Sequence, residues 1–309
     1  MTDSQVIGVD FGGTSVKLAV VDGPELVSDV RRIPTQDFDS PERLIARIVE
    51  VIGDVRQDHS SVAAIGVGVP GAVDYASGTT YNLTNVKGWS EVRLREIMGE
   101  KSGLPCVIDN DANCMAFAEW KFGAAVGTSN AVCVTLGTGV GGGLVLNGRL
   151  YRGSTHAAGE IGQMSIDYRG VPGPYGNSGA LERYIGNRQI AELAAAMYRE
   201  AGKEVPEPHS PDAVAKLAEG GDETARRVWE RVAECLGSCL MNIVYLLNPE
   251  VIVIGGGISE AGSLLFDPLL RHLEASLTDE CFDHLRVVPA RFGNAAGIIG
   301  SSALAAEST

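Results

Sequence analysis

A short glycine-rich turn between two apolar segments occurs twice in this sequence, and this repeat most limits the folds open to the chain. The largely apolar segments 6–10 and 16–21 flank the first turn, and residues 131–136 and 144–146 flank the second. Short apolar segments bounded by glycine are typical of buried strands. The recurrence predicts two copies of one α/β module, each presenting a glycine turn to a shared cleft.

Helical patterns follow these strands. Ser40 and Pro41 suit the N-cap and the first position of a helix. Apolar residues recur at helical spacing after them. Further helices are predicted over residues 181–201 and 222–247, and a closing helix over residues 294–306.

The length of the chain predicts more than one domain. It has 309 residues, of which 45% are apolar and 21% charged, as in ordinary globular proteins. We predict a first α/β domain over residues 1–118, with the closing helix packing back on it, and a second over residues 119–293.

The composition also limits the partners of the chain. A net charge of −14, without any run of Lys or Arg, argues against nucleic acid. No apolar stretch reaches the roughly 20 residues that cross a bilayer, so we expect no membrane partner. The six cysteines form no C-x-x-C pair, and the first five residues lack a signal-peptide pattern. These features predict a cytoplasmic protein with reduced thiols.

The first glycine turn is a candidate phosphate site. Gly12, Gly13 and Thr14 follow a strand that ends in Asp10. Glycine allows positive φ and lets backbone N–H groups approach an anion closely. Asp10 is placed to hold Mg²⁺ through water, because this ion prefers oxygen ligands and keeps part of its hydration shell. The alternative is an ordinary glycine hairpin.

Two later glycine clusters extend this pattern. Residues 137–143 contain more glycine than a hairpin requires, and residues 255–257 follow a buried strand where an adenine or ribose could lie. Residues 137–143 match G-x-G-x-x-G, as do residues 66–71. Neither segment opens a helix, so we reject a dinucleotide-binding fold. The Gly-Lys-Ser/Thr ending of a P-loop is also absent.

The segment 109–113, Asp-Asn-Asp-Ala-Asn, joins a strand to a helix and is the candidate catalytic site. One Asp or Asn there would serve as a helix cap, but four polar side chains exceed what capping needs. An aspartate with an ordinary pKa of about 3.9 is ionised near neutral pH. It can take a proton from an attacking hydroxyl, which typically accelerates a reaction about 10²–10⁴-fold.

Together these segments resemble one family, the ROK (repressor, open reading frame, kinase) sugar kinases of the actin-like ATPase superfamily. The resemblance runs in order from residue 6 to about residue 303. It implies two actin-like (ribonuclease H-like) α/β domains flanking an active-site cleft, with ATP and Mg²⁺ as cofactors and a hexose as substrate. The segments that carry it are residues 10–14, 85–89, 109–113, 136–143, 159–162, 181–182, 255–257 and 294–297.

The resemblance implies a role for individual residues. Asp111 is the general base. The hexose would contact Asn110, Glu160 and Glu182, with Gln163, Gly71 and Asn85 as further candidates. The nucleotide and its Mg²⁺ would contact Asp10, Gly12, Gly13, Thr14, Lys17, Gly137, Thr138, Gly139, Gly255, Gly256 and Gly257.

One departure from the family concerns zinc. Typical members follow Gly-Glu-Ile-Gly with a His and then three cysteines, which together hold a zinc ion. Here Gln163 stands in the His position, and the cysteine positions align with Gly173, Tyr175 and Ala180. These residues cannot form a tetrahedral N/S site. We therefore predict no zinc site and a loop over residues 165–179 that is held by packing and hydrogen bonds.

The resemblance favours an ATP-dependent glucokinase of carbohydrate metabolism and glycolysis, because residues 176–182 are similar to a stretch of zinc-free cyanobacterial glucokinases. Fructokinase, mannokinase or N-acetylhexosamine kinase activity stays open, as does polyphosphate as the donor. A sugar-sensing repressor would need a DNA-binding domain before the first turn, and a non-catalytic sugar-binding protein would need a lost catalytic residue. Family members are often homodimers.

Overall fold

A computed structural model describes residues 5–83, 86–205, 207 and 210–308. The strands are β1 (Val6–Phe11), β2 (Ser15–Asp22), β3 (Glu25–Leu26), β4 (Arg31–Pro34), β5 (Ala64–Val69), β6 (Val73–Asp74), β7 (Thr79–Tyr81), β8 (Glu91–Val92), β9 (Cys106–Asn110), β10 (Ala131–Leu136), β11 (Val140–Leu146), β12 (Arg149–Tyr151), β13 (Val251–Gly255) and β14 (Arg286–Pro289). The helices are α1 (Pro41–Asp58), α2 (Leu94–Ser102), α3 (Asp111–Phe122), α4 (Glu182–Ile185), α5 (Asn187–Glu200), α6 (Pro211–Glu219), α7 (Glu223–Leu247), α8 (Ser263–Ser276), α9 (Asp279–Phe282) and α10 (Ala296–Ser308).

The chain divides into two compact units. The first comprises Met1–Gly127, Gly143–Ala158 and Asn294–Thr309, and the second comprises Thr128–Gly142 and Gly159–Gly293. The sequence prediction placed the boundaries after residue 118 and before the closing helix; in the structure the first boundary follows Gly127, and the segment 143–158 also lies in the first unit. The closing helix α10 lies in the first unit and packs on α3, β1 and β5.

A sheet in the order β3-β2-β1-β5-β9, with β4 paired to β2, forms the centre of the first unit. β1 is antiparallel to β2 and parallel to β5, which is parallel to β9. Parallel β1, β5 and β9 place Asp10, Val69 and Asn110 at one edge of the sheet. A small second sheet has the order β6-β7-β8.

Missing side chains let α10 approach this sheet closely. A Cβ atom on Gly8 would overlap the Ile298 carbonyl, and one on Gly66 would overlap that of Ser301. A Cβ on Gly300 would overlap the Cys114 carbonyl of α3. Glycine is therefore required at these three positions by backbone packing.

The second unit is built around parallel strands. β10 pairs in parallel with β13, and β13 with β14. The strands β10 and β13 are buried along most of their length, as expected of a sheet covered on both faces. Among the residues that the structure describes, no helix is long and apolar enough to span a membrane.

Candidate active site

Strand β9 leads directly into α3, and this junction carries the candidate base. Asn110 is the N-cap of α3, and its Oδ1 accepts hydrogen bonds from the backbone N–H groups of Ala112 and Asn113 at 2.9 and 3.3 Å. Its Nδ2 donates to the carbonyl of Gly71 at 3.1 Å. The structure thus brings Asn110 and Gly71 together. Helix capping and the hydrogen bond to Gly71 account for both polar atoms of the Asn110 side chain.

Asp111 is the first residue of α3 and is half-buried. Its Oδ1 accepts the N–H of Ala112 at 2.9 Å. A carboxylate is favoured at a helix N-terminus because unpaired N–H groups there carry partial positive charge. Strand β5 lies close by, since a Cβ on Gly68 would be 3.6 Å from the Asp111 Cα.

Three carboxylates surround the start of α3. Burial, and then the negative charges of Asp109, Asp111 and Asp10, raise the pKa of the Cys114 thiol well above its usual value. The geometry agrees, because Asp10 pairs with Gly68 of β5 and a Cβ on Gly68 would lie 3.6 Å from the Asp111 Cα. The two predicted carboxylates therefore lie near the same part of the first unit.

Asp10 is the last residue but one of β1, and its cross-strand partner on β2 is Lys17. Lys17 Nζ lies 3.9 Å from Asp10 Oδ2. Burial raises the pKa of the Asp10 carboxyl, and the charge of Lys17 opposes this shift. The first residues of α10 also approach it, since a Cβ on Gly297 would come within 2.7 Å of Asp10 Oδ1.

A half-buried carboxylate such as Asp10 is an oxygen ligand of the kind that Mg²⁺ prefers. Within the described part of the chain there is no cluster of three or more His, Cys, Asp or Glu that could form a complete protein cage for a metal.

Glu182, the first residue of α4, is the centre of the site in the second unit. Its Oε2 accepts the N–H of Val140 at 3.2 Å, and its Oε1 accepts a hydrogen bond from Gln163 Nε2 at 3.3 Å. A Cβ on Gly139 would overlap this carboxylate. The structure thus joins three predicted residues, two assigned to the hexose and one to the nucleotide.

Glu160 lies close enough to Glu182 for their charges to interact. Burial raises the pKa of the Glu160 carboxyl, and the charge of Glu182 raises it further. Gln163 Oε1 is buried and has no hydrogen-bond partner within the protein. A buried amide oxygen without a donor, next to two carboxylates, suits a ligand rich in hydroxyl groups.

The glycine turns differ from the sequence prediction in two respects. The second turn is shorter than predicted, because β11 already begins at Val140. Positive φ was expected at the turn glycines, yet Gly256, with φ of +85°, is the only one of the predicted nucleotide contacts that has it. Gly256 also lies against the backbone of Leu136, where a Cβ would overlap the carbonyl.

Neither positive φ nor a close backbone contact explains why positions 13 and 137 carry glycine. A Cβ at either position would meet no atom within 4 Å. Backbone bonds fix both turns: the N–H of Gly12 donates to Ser15 at 3.0 Å, and the carbonyl of Gly137 accepts from the N–H of Asn187 at 2.9 Å. A bare backbone that the protein does not itself cover suits close approach of a phosphate.

The loop over residues 165–179, the place of the family's zinc site, is closed by hydrogen bonds. Asn177 Nδ2 donates to the carbonyl of Gln163 at 3.0 Å, and the Ser165 hydroxyl donates to the carbonyl of Ser178 at 2.7 Å. Short antiparallel bridges join Ser165 to Ala180 and Pro172 to Ser178. The residues present do not fit zinc, because the aligned positions carry no thiolate or imidazole.

Three predicted residues need separate mention. Asn85 lies outside the described residues. Thr14 and Thr138 contribute backbone contacts, since the Thr14 carbonyl accepts from the N–H of Thr35 at 3.0 Å and a Cβ on Gly186 would come within 2.7 Å of the Thr138 carbonyl.

Sequence reasoning missed Arg152, which binds Asp109 although 43 positions separate them.

Comparison with known proteins gives consistent matches over nearly the whole chain. A sequence model of the ROK family matches residues 6–308. A glucokinase of Halalkalibacterium halodurans is 35% identical, over 97% of this chain and 94% of that protein. An N-acetyl-D-glucosamine kinase of Escherichia coli O157:H7 is 32% identical, over 96% of this chain and 98% of that protein. The crystal structure of a ROK family glucokinase from Streptomyces griseus in complex with glucose and AMPPNP is 29% identical and superposes with a TM-score of 0.83, over 98% of this chain and 100% of that chain.

Proposed function

The chain belongs to the ROK family, and we propose that it is an ATP-dependent hexose kinase that converts glucose to glucose 6-phosphate. The family membership and the α/β fold of the actin-like class, both predicted from the sequence, are confirmed by the family match and by the similarity to the glucokinase structure. The observation that carries the proposal is the half-buried Asp111 at the start of α3, beside an Asn110 already fixed by capping and by Gly71.

The first unit supplies the proton acceptor. Asp111 takes the proton from the attacking sugar hydroxyl as the phosphoryl group arrives, and Asn110 orients the sugar. Asp10 would hold Mg²⁺, which would supply positive charge beside the phosphate oxygens. Lys17 beside it adds a second positive charge on the nucleotide side. Phosphoryl transfer depends mainly on this kind of positioning and electrostatic stabilisation.

The second unit supplies further groups for both substrates. Glu160, Glu182 and the unpartnered Gln163 Oε1 accept hydrogen bonds from the hydroxyls of the hexose. The backbone at Gly137 and Gly139 lies along the phosphates, and Gly255, Gly256 and Gly257 lie along the adenosine. Because Glu182 contacts Gln163 as well as the Gly139 turn, one carboxylate links the sugar side to the phosphate side.

The relatives named above favour glucose and leave a second candidate. The N-acetyl-D-glucosamine kinase of Escherichia coli is nearly as similar as the glucokinase of Halalkalibacterium halodurans. An N-acetylhexosamine is therefore the main alternative substrate, ahead of fructose and mannose. A cytoplasmic homodimer that uses ATP rather than polyphosphate, and acts in glycolysis, completes the proposal. Retention of Asp10, Asp111, Glu160 and Glu182 argues against a non-catalytic sensor.

A coupled kinase assay tests the proposal. Purified protein is given ATP or polyphosphate together with glucose, N-acetylglucosamine, fructose or mannose. We expect the highest kcat/KM with ATP and glucose. Turnover confined to N-acetylglucosamine would mean that this sugar, and not glucose, is the substrate. Sugar binding without turnover for any combination of donor and sugar would exclude a kinase.

Asp111→Asn then tests the base. The asparagine Oδ1 can still accept the N–H of Ala112, so folding is retained, while kcat should fall by about 10²–10⁴-fold because the proton acceptor is lost. Asp222→Asn is the matched control, since Asp222 caps α7 through Ala225 at 3.0 Å and has no assigned role. Wild-type kcat in the Asp111 variant would contradict the assignment.

A further inference from the structure

Asp109 and Arg152 form an ion pair beside the proposed base. The Asp109 side chain is 3% exposed and that of Arg152 is 18% exposed. Arg152 Nε donates to Asp109 Oδ2 at 2.8 Å, and Nη2 lies 2.7 Å from the same oxygen. Exposed ion pairs contribute little, but removing one partner of a buried pair leaves an uncompensated charge. The pair is therefore a fixed part of the first unit.

The other oxygen of Asp109 holds the start of α3. Asp109 Oδ1 accepts the backbone N–H of Asn110 at 2.8 Å and a hydrogen bond from Asn113 Nδ2 at 3.0 Å. These contacts lie on either side of Asp111 in the chain. The direction of the Asp109 carboxylate therefore constrains the backbone that carries the base.

Arg152 also contacts the segment that binds Asn110 from the other side. Its guanidinium carbon lies 3.7 Å from the centroid of the Tyr75 ring. Tyr75 follows Gly71 by four residues, and the carbonyl of Gly71 accepts a hydrogen bond from Asn110 Nδ2. Stacking on an aromatic face and side-on binding of a carboxylate are both properties of a planar guanidinium that an ammonium group lacks.

The position of Arg152 is itself fixed by its loop. Its carbonyl accepts the N–H of Ala158 at 3.0 Å. Between them His156 has φ of +61°, a conformation uncommon outside glycine, and its Nδ1 lies 3.1 Å from Asp74 Oδ1. The ring of His156 packs edge-on against Tyr75, with centroids 6.3 Å apart. The loop is thus anchored to the segment on which Arg152 stacks.

We propose that Arg152 is a positioning residue for the phosphoryl transfer: through Asp109 it fixes the start of α3, and with it the direction of Asp111 and Asn110. This inference rests on the proposed function, in which Asp111 is the base. A displacement of about 1 Å at a reacting group can reduce the rate about 10²-fold. Loss of the guanidinium should therefore lower kcat and leave nucleotide binding intact.

Steady-state kinetics of Arg152→Lys and Arg152→Ala test the inference. Lysine keeps the positive charge beside Asp109, so this variant provides a folded protein even if the alanine variant fails to fold. We expect kcat to fall roughly 10-fold or more in Arg152→Lys, and up to about 100-fold in Arg152→Ala, with the KM for ATP unchanged. Arg47→Ala is the matched control, because the Arg47–Glu50 pair is exposed and lies on α1.

The outcomes separate positioning from mere stabilisation. Wild-type kcat in Arg152→Lys would overturn the inference, and so would a loss of activity that only follows the loss of folded protein. If the wild-type protein phosphorylates no sugar, the proposed function fails while Arg152 is still tested by hydrogen exchange. Faster exchange of the Asn110 and Ala112 amides in Arg152→Lys than in Arg47→Ala then supports the role of Arg152, and equal exchange rejects it.

Discussion

Glu160 shows at the scale of one residue how a binding site differs from a structural contact. Glu160 is an exposed residue, yet its carboxyl group is partly desolvated and interacts with the negative charge of Glu182. Both effects oppose ionisation of Glu160 and raise its pKa. A residue whose environment opposes its charge weakens the folded state at neutral pH. Such an arrangement is typical of functional sites.

Glu160→Gln should therefore stabilise the protein near neutral pH while weakening sugar binding. A raised pKa in the folded state means that the protonated form stabilises the fold and that this contribution is lost as pH rises through the folded pKa. The gain in Tm of the variant should thus be largest at neutral pH and disappear on acidification. Thermal unfolding from neutral to acidic pH, with kcat/KM for glucose measured in parallel, checks both effects.

The control for this experiment is Glu192→Gln, since the Glu192 side chain is 65% exposed and pairs with Arg188 on the surface of α5. We expect neither a pH-dependent gain in Tm nor a change in kinetics there. A lower Tm in Glu160→Gln at neutral pH would show that Glu160 is a stabilising residue instead.

At the scale of elements, the turn between β10 and β11 combines two roles in three residues. Gly139 has no room for a side chain because Glu182 lies against it, whereas Gly137 has open space around the position of a Cβ. A side chain at position 139 would therefore have to displace the Glu182 carboxylate, whereas one at position 137 would displace no protein atom. Substitution at the two positions should have separable effects.

Gly139→Ala should displace the Glu182 carboxylate and raise the KM for the hexose. Gly137→Ala should fold with wild-type Tm but raise the KM for ATP, because the added methyl group obstructs the phosphates. Gly53→Ala is the control: it lies in α1, and its Cβ would also meet no atom within 4 Å. Equal KM values for ATP in Gly137→Ala and Gly53→Ala would argue against a phosphate contact at this turn.

Local sequence signals predicted the elements that they specify directly. Ser40 caps α1 through the N–H of Arg43, as its position before Pro41 predicted. Strand β10 covers residues 131–136 both in the sequence prediction and in the structure. The same Ser-Pro signal occurs at Ser210 and Pro211, where α6 begins, and was missed among the polar residues before it. The helix predicted over residues 181–201 is divided at Gly186 into α4 and α5.

The remaining features of the fold and of the candidate site depend on contacts between residues far apart in the sequence. Local patterns could not predict these contacts. The sheet β6-β7-β8 consists of strands of two or three residues, too short for a periodic signal. The Asp109–Arg152 pair depends on the pairing of β12 with β11, which brings Arg152 into the first unit. The site residues named from the resemblance remain predictions, although the structure places several of them within hydrogen-bond distance of one another.

At the scale of the whole molecule, the first unit is completed by α10. Its residues Ile298, Ile299 and Leu304 are 1%, 2% and 5% exposed. Full burial of each such side chain contributes about 1.5–3 kcal/mol, so the three together supply about 5 kcal/mol or more. This is a large fraction of the roughly 5–15 kcal/mol that keeps a protein folded.

A chain that ends at residue 293 should accordingly lose the cooperative unfolding of its first unit, and a synthetic peptide of residues 294–309 should restore it. Circular dichroism during heating, with and without the peptide, measures this. A peptide carrying Gly300→Val is the matched control, because its side chain would overlap the Cys114 carbonyl. Wild-type melting of the shortened chain alone would refute the prediction.

The position of α10 has a consequence for biosynthesis. It follows every other element in the sequence, yet it packs against β1, the first of them. During translation the apolar surfaces of β1 and β5 therefore stay uncovered until residues 296–308 have left the ribosome. Such late closure by long-range contacts slows folding and exposes nascent chains to aggregation, so we expect newly made molecules to depend on chaperones more than the stability of the finished enzyme would indicate.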